Sequence, residues 1–403
     1  MRDPAVVVTA RERSLELLHR AATHAGFVAS PSFEHYTVIW ARDSLITSLG
    51  ACATTDSSLH ETVAATLDTL TAHASPLGQI PAIVSPERNE WDFGEGGVVD
   101  STAWLPVVVE AHLRATGDIE RARAWWPAVE AAIAWLRHQD VTGTGLLSVA
   151  PSTDWMDAAL TRSGRTLHVN ALYAWAASAA DRLREALELE TTGEGARVTH
   201  TVDAWFWPDP AVEFASLFEH GFAHTSIERE YRRLAAAPRN HYASHIVHAA
   251  FVDRCDVLAN LVAILAGVPS DARARVIIEH LSPAADPWPS RALMQPVSPG
   301  DPSGMYIEQA DRAIDARWRN LPGRYHNGAA WPYIGGFHVA ATSVVLGPEP
   351  ARALLSRLAQ ALAMGDWSFP EWIDSAGAPE GARDQVWNAG AFLLADRAVT
   401  VAA

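Results

Sequence analysis

The feature that most restricts how this chain can fold is its punctuation. Helical stretches stop at a glycine and restart within a few residues on a capping side chain. Residues 113–115 run into Thr116-Gly117-Asp118, where the glycine ends one helix and the aspartate caps the next. Residues 257–266 end at Gly267, and Pro269-Ser270 opens another helix. Residues 338–346 end at Gly347-Pro348, with a new helix from near Pro350. Apolar stripes at helical spacing fill the stretches between, such as Leu15, Leu18 and Ala22, or Val129, Ile133 and Leu136. With ordinary helix and loop lengths, 403 residues hold about a dozen helices. Strand signals are few and short; residues 146–150 carry one.

Four long irregular stretches interrupt the hairpins: 78–97, 150–166, 282–303 and 366–384. They concentrate glycine, proline, tryptophan and isolated acids, and loops this long in a compact domain are usually functional. The expectation is an all-α toroid of helical hairpins whose long loops line a pocket at one end. No linker or composition break divides the chain, so one domain over 1–403 is expected.

A net charge of −16 excludes nucleic acid and anionic membranes as partners. Cys52 and Cys255 form no disulfide framework. Residues 1–20 carry charges throughout and no apolar signal core, and no apolar run reaches spanning length, so a soluble cytoplasmic protein is expected. Sixteen tryptophans against seven tyrosines is unusual, because indoles are seldom fully buried. Trp40, Trp91, Trp155, Trp288, Trp331, Trp367 and Trp372 lie in or beside loops, where an indole face can stack on the C–H face of a pyranose. Trp135 and Trp175 read as core.

Several clusters carry chemistry. Asp154 and Asp157 flank Trp155 and Met156; a carboxyl beside an indole and a thioether loses hydration, which raises its pKa and suits a general acid. The plainer reading makes one a helix cap and leaves the other solvated. Arg42 beside Asp43 can hold adjacent hydroxyls, with Trp40 as platform, or can form a structural pair. Residues 90–97 place Glu90, Asp92 and Glu95 near Trp91 and Phe93, as a binding loop or a solvated turn. His326 and Asn327 can donate to sugar hydroxyls, or Asn327 can cap a helix. Glu371, between Pro370 and Trp372, is a candidate for activating water. His241, His245 and His248 share one face of a possible helix, but no zinc-protease pattern accompanies them, and packing is the better reading. There is no phosphate-binding glycine loop and no nucleophile elbow.

In order along the chain, WARD (40–43), DFGE (92–95) with VDS (99–101), WMDA (155–158), YHNGAAWP (325–332), PEWID (370–374) and QVWNAG (385–390) resemble inverting glycosidases built on an (α/α)6 toroid, the six-hairpin glycosidases. The resemblance covers about 36–399. It is shared between the neutral/alkaline invertases, towards which DFGE with VDS and PEWID lean, and the amylo-α-1,6-glucosidase region of glycogen debranching enzymes, towards which STDWMDA leans. It implies a general acid at Asp157 and a general base at Glu371. It implies that Trp40, Arg42 and Asp43 hold the sugar being released, and that Asp100, His326, Asn327, Trp331 and Trp387 line the same pocket. The loop between DFGE and VDS is shorter than in invertases, and the transferase domain of full debranching enzymes is not expected here. A minimal catalytic toroid acting on a small saccharide is therefore expected.

The function expected is inverting hydrolysis that releases a terminal α-linked glucose, with Asp157 protonating the glycosidic oxygen and Glu371 activating water. Asp92, Asp154 and Trp155 join the sugar-contacting set, Asp154 either orienting the acid or binding sugar. Both catalytic groups are side chains, so no metal or organic cofactor is expected. A phosphorylase would not need Glu371, an epimerase would rely on histidine bases such as His326, and a binding protein could dispense with either acid.

Overall fold

In the computed structural model, residues 4–94, 97–158, 160, 162–217 and 225–401 are described. Twelve helices among them make two concentric rings. They are α1 (Ala5–Ala21), α2 (Ala41–Cys52), α3 (Ser57–Ala72), α4 (Asp100–Thr116), α5 (Ile119–Arg137) and α6 (Leu167–Ala186), followed by α7 (Glu194–Phe206), α8 (Val257–Leu265), α9 (Asp271–Leu281), α10 (Pro332–Leu346), α11 (Pro348–Leu362) and α12 (Val386–Val401). The even-numbered helices pack side by side in order, and α12 closes the circle by packing against both α10 and α2. The odd-numbered helices lie outside; α3, for instance, touches α2 and α4, and α11 touches α10 and α12. This is the six-hairpin toroid.

Sequence explains the division between the rings. Outer helices show one apolar stripe: α9 buries Ala274, Ile277, Ile278 and Leu281, and α5 buries Ala122, Trp125, Val129, Ala132, Ile133 and Leu136. Inner helices are covered on all sides, so α10 is buried without interruption from Pro332 to Ser343. The stops fall where the sequence places them. Gly117 sits at φ +72° and the Asp118 carboxylate accepts from the Arg121 amide; Ser270 caps α9 through the Arg273 amide. The α11 helix begins at Pro348, two residues earlier than expected.

Three expectations change. In α1 the buried stripe is Val7, Ala10, Ser14, Leu17, Leu18 and Ala21; Leu15 is only half-buried and Ala22 has left the helix. Residues 146–150 form a single bridge, Val149 with Gly164, because no second run of residues lies alongside to extend it. The residues around His241, His245 and His248 are not helical: His245–Val247 is a strand paired with Ala250–Val252, and His248 has φ +52° in the connecting turn. Short strands instead brace the long loops, Ile39–Trp40 with Ile83–Ser85 and Glu90–Asp92, and Trp372–Ile373 with Pro379–Glu380. No described helix is long and apolar enough to cross a membrane.

The ring closes through bare backbone. A Cβ on Gly390 of α12 would lie 2.6 Å from Thr47 Cα on α2, one on Gly50 would strike the Gly390 carbonyl, and one on Gly336 of α10 would lie 2.5 Å from the Ala391 carbonyl oxygen. We expect Gly390→Ala to lower stability by about 1–3 kcal/mol through overpacking, read as a lower urea midpoint with helical circular dichroism retained. An unchanged midpoint would show that closure does not depend on this contact.

Candidate active site

Each outer helix returns the chain, so the inner helices all run the same way and present their N-termini at one end. The long loops precede those N-termini, and the chemistry-bearing residues gather there. Arg42 stands in the first turn of α2, Asp100 opens α4, His168 stands in the first turn of α6, Asp256 caps α8, Trp331 precedes α10 and Trp387 lies in the first turn of α12.

Arg42 is the electrostatic hub. Its guanidinium donates Nε to one Asp100 oxygen at 2.7 Å and an Nη to the other at 3.1 Å, a bidentate fork. Its other Nη reaches Asp157 at 3.4 Å. Burial alone would raise the Asp100 carboxyl, but Arg42 and His168 overcome it and hold the group at about 2. Three neighbouring carboxyls go the other way. Burial lifts Asp43 to about 7 despite Arg42, with Asp157 and Asp100 adding to the rise. Burial lifts Glu371 to about 7 against a hydrogen bond from the Ala382 amide, and Asp43 and Asp157 push it further. Desolvation lifts Asp157 to about 6 against Arg42, helped by Asp100 and Asp154. Water still reaches 40 % of the Asp157 side chain, which tempers the size of that rise while leaving its direction. Asp157 raises both Asp43 and Glu371, Asp43 raises Glu371, and Asp100 raises Asp43 and Asp157, so these residues share one electrostatic site.

The second carboxylate is rigidly placed. Glu371 precedes the Trp372–Ile373 strand, its amide donates to the Ala382 carbonyl at 3.0 Å, and its Oε2 accepts from the Ala382 amide at 2.8 Å. Gly381, at φ +76°, leaves room for the carboxylate, which a Cβ there would strike. Oε1 faces the Tyr36 hydroxyl at 3.4 Å. In front of these groups lies a cavity of about 500 Å³ lined by Phe33, His35, Tyr36, Trp40, Asp157, Ala158, Ile314, Trp318 and Tyr325. It lies within the range of about 300–1,000 Å³ typical of small-molecule sites. Another cavity, about 530 Å³, lies among α5, α6 and α7, far from this chemistry.

The expected residues take three kinds of place. Asp157 and Trp40 line the cavity, while Arg42, Asp43, Asp100 and Glu371 stand around it in mutual electrostatic contact. His326, Trp155, Trp331 and Trp387 form an aromatic wall. His326 stacks between Tyr325 at 4.1 Å and Trp331 at 5.3 Å, Trp155 meets His326 and Trp331 edge-on, and Trp387 stacks on Tyr333 at 4.2 Å. Burial, with Arg42 and Arg162, holds His326 well below its ordinary pKa, so the ring is neutral.

Three placements correct the expectation of sugar contacts. Asn327 spends its amide on the backbone: Oδ1 accepts from the Val297 amide at 2.6 Å, and Nδ2 donates to the Val297 and Asn320 carbonyls at 2.8 Å. It caps no helix, since Trp331 holds the N-cap position of α10. Asp154 is buried and committed to the Met156 amide and to Arg162, which also pairs with buried Asp256. It therefore orients the loop of Asp157. Trp155 is fully covered by the aromatic wall and offers no open face. Asp92 is exposed and lines an adjoining cavity of about 400 Å³ that shares His35 and Trp40. Glu95, its partner in the expected acidic loop, lies outside the described residues.

Residue patterns did not reveal Tyr36, Tyr325, His168 or Arg162. Tyr36 lies four residues before Trp40, and that proximity was the only available signal.

With this geometry in place, likeness to known proteins can be read. The amylo-α-1,6-glucosidase family model matches residues 12–394. No curated protein matches the chain. Among solved structures, the mannosylglycerate hydrolase of Thermus thermophilus in complex with Tris and D-glycerate superposes with a TM-score of 0.67 at 17% identity, covering 96% of this chain and 99% of that one. The same hydrolase in complex with glucose gives 0.66 at 19% identity, over 95% and 99%. A rhamnosidase from Klebsiella oxytoca with rhamnose bound gives 0.63 at 14% identity, over 98% and 64%. These likenesses establish the shared toroid.

The raised carboxyls predict a pH signature. A group whose folded pKa lies above its unfolded value stabilises the fold below the unfolded pKa and loses that contribution as pH rises through the folded one. Asp43 therefore favours the fold near pH 4 and ceases to do so above about 7. Buried histidines such as His338, held down at about 4, act oppositely, so the whole-protein curve mixes both. The difference between Asp43→Asn and wild type cancels the histidines. Urea unfolding at pH 5 to 8 should show the variant gaining relative stability as pH rises; a flat difference would contradict the assignment.

Proposed function

We propose that this chain, which belongs to the amylo-α-1,6-glucosidase family, cleaves a small α-linked saccharide with inversion and releases a terminal glucose, as one catalytic unit. The observation that carries the reading is the pairing of Asp157 and Glu371. Two carboxyls are raised by burial at one site, Asp157 lifting Glu371 further. Asp157 lines the cavity and is open to water, and Glu371 is fixed by backbone beside the cavity-lining Tyr36. Two such groups are what inverting hydrolysis requires.

Asp157 gives its proton to the glycosidic oxygen as the C1–O bond breaks. Glu371, ionised, takes a proton from a water whose oxygen bonds to C1 from the opposite face. The sugar leaves with its anomeric configuration inverted, and the two carboxyls exchange protons with solvent to reset. Positive charge that develops at C1 is stabilised by the acidic surroundings of the site. Trp40 offers the face on which a pyranose stacks, and the cavity's size suits a mono- or disaccharide. The mannosylglycerate hydrolase and the rhamnosidase with bound sugars support a saccharide substrate for this toroid. The STDWMDA stretch favours an α-1,6-glucoside, and PEWID keeps sucrose as a second candidate. His326, buried and stacked on both faces, is poorly placed for epimerase chemistry.

The test is an NMR time course with isomaltose, sucrose and related α-linked disaccharides. β-Glucose should appear first, and Asp157→Asn and Glu371→Gln should each lower kcat by about 10²–10⁴. First appearance of α-glucose, or full activity in Glu371→Gln, would refute the mechanism. The profile of kcat/KM against pH should be bell-shaped with its maximum between about 6 and 7. Because burial lifts Glu371 above Asp157, the productive form, with Asp157 protonated and Glu371 ionised, is the minor one of the two singly protonated forms. The limbs belong to the pair, and activity falls on the acid side as both carry protons and on the alkaline side as both lose them. Bound saccharide displaces the water that reaches Asp157, so the alkaline limb of kcat should move to higher pH than that of kcat/KM.

A further inference from the structure

Away from the carboxylates, three side chains from separate parts of the chain converge without a hydrogen bond between them. The donor atoms of His241, Cys255 and His280 all lie within 4.8 Å of one another. His241 follows the helix Thr225–Ala235, Cys255 immediately precedes the α8 cap Asp256, and His280 stands in the last turn of α9. The thiol is buried, and the two imidazole rings stack 5.3 Å apart at 14°.

Hydrogen bonding leaves one imidazole nitrogen free to bind. His241 Nδ1 lies 2.6 Å from the Asn240 side-chain oxygen, so Nδ1–H donates there and Nε2 carries the bare lone pair. Nε2 is buried and has no hydrogen-bond partner. Asp253 Oδ1 stands 3.6 Å from it, too far for a hydrogen bond, and is itself paired with Arg239 at 2.5 Å. An unpartnered buried nitrogen is costly, and the ring that carries it stacks on a second imidazole and lies beside a thiol. The Cys52 thiol, by contrast, has no such neighbours among the described residues.

We propose that His241, Cys255 and His280 bind a thiophilic divalent cation, with Zn²⁺ the best fit and the fourth position left to water. Two imidazoles and one thiolate suit zinc and exclude magnesium or calcium, which take oxygen ligands. Zinc lies about 2.0–2.3 Å from such donors, so tetrahedral binding draws them to about 3.5 Å apart, a movement that side-chain rotation supplies. Asp253, half open to solvent, gives the ion its way in. The site is structural. It fastens the 239–255 segment to α9, next to Asp256, whose pairing with Arg162 holds Asp154 and the Asp157 loop. It stands or falls independently of the proposed hydrolysis.

Cobalt is the probe. Full-length protein freed of metal by chelation is titrated with Co²⁺, then Zn²⁺. One equivalent of Co²⁺ should give a thiolate-to-cobalt charge-transfer band with tetrahedral visible bands, and Zn²⁺ should displace both and raise the thermal midpoint. Cys52→Ser should keep the band, Cys255→Ser should abolish it, and His280→Gln should weaken cobalt binding at least about 10-fold, with circular dichroism confirming the folded state of each. Absence of the band in the wild-type protein, or a band that survives Cys255→Ser, would overturn the proposal. Because the first reading uses wild-type protein, misfolding of a variant leaves the test intact.

Discussion

The arrangement rests on a contact between backbones. Gly50, Gly336 and Gly390 let α12 lie against α2 and α10 more closely than any side chain would permit, and that contact joins the last inner helix to the first. Closure completes the ring of six inner helices, which already run one way, and brings their N-termini together. Each N-terminus carries partial positive charge from unsatisfied amides, so this end of the toroid favours carboxylates. Asp43, Asp100 and Asp256 stand at helix starts, and Asp157 and Glu371 are carried in by loops.

A single cation then sorts these acids. Arg42 commits its fork to Asp100 and reaches Asp157 only at a longer distance. Among the described residues no cation pairs with Glu371, which relies on a backbone amide and a tyrosine hydroxyl. The result is one carboxylate locked in the charged state and three poised near neutrality. The poised groups cost stability when ionised, and this is the usual trade at a site where protons move. Holding them requires rigid surroundings, which the buried Asp154–Arg162–Asp256 chain and the Asn327 amide provide by tying loops to one another.

Tryptophan serves two purposes that composition cannot separate. Trp40 opens onto the cavity, while Trp155 and Trp331 are sealed into a wall behind His326 and Trp387 is nearly so. Tyr333 of the wall stands near Arg42, Asp100 and Asp43, and so helps keep water from the buried Asp43 whose carboxyl is raised. Burial of an indole depends on which loop arrives over it, and that loop can be more than a hundred residues away.

Helix starts and stops were legible because they are local: a glycine that accepts positive φ at 117, an aspartate at 118 and a serine at 270 within reach of their own amides. The hairpin count, the toroid and the carboxylates at 157 and 371 followed from such signals together with the family resemblance. The short strands that brace the loops escaped notice, since two or three residues leave no period to detect. Of the two roles open to Asp154, orienting the acid and binding sugar, only the structure chose the first. The roles of Asn327, Tyr36 and the His241–Cys255–His280 cluster stayed hidden because their partners are distant in sequence. Sequence by itself determined where the chain turns and which segments are helical, because neighbouring residues settle those matters. Tertiary structure alone decided which acids are tied down and which are poised, because partners such as Arg42 and Asp157, or Tyr36 and Glu371, meet only when the ring closes.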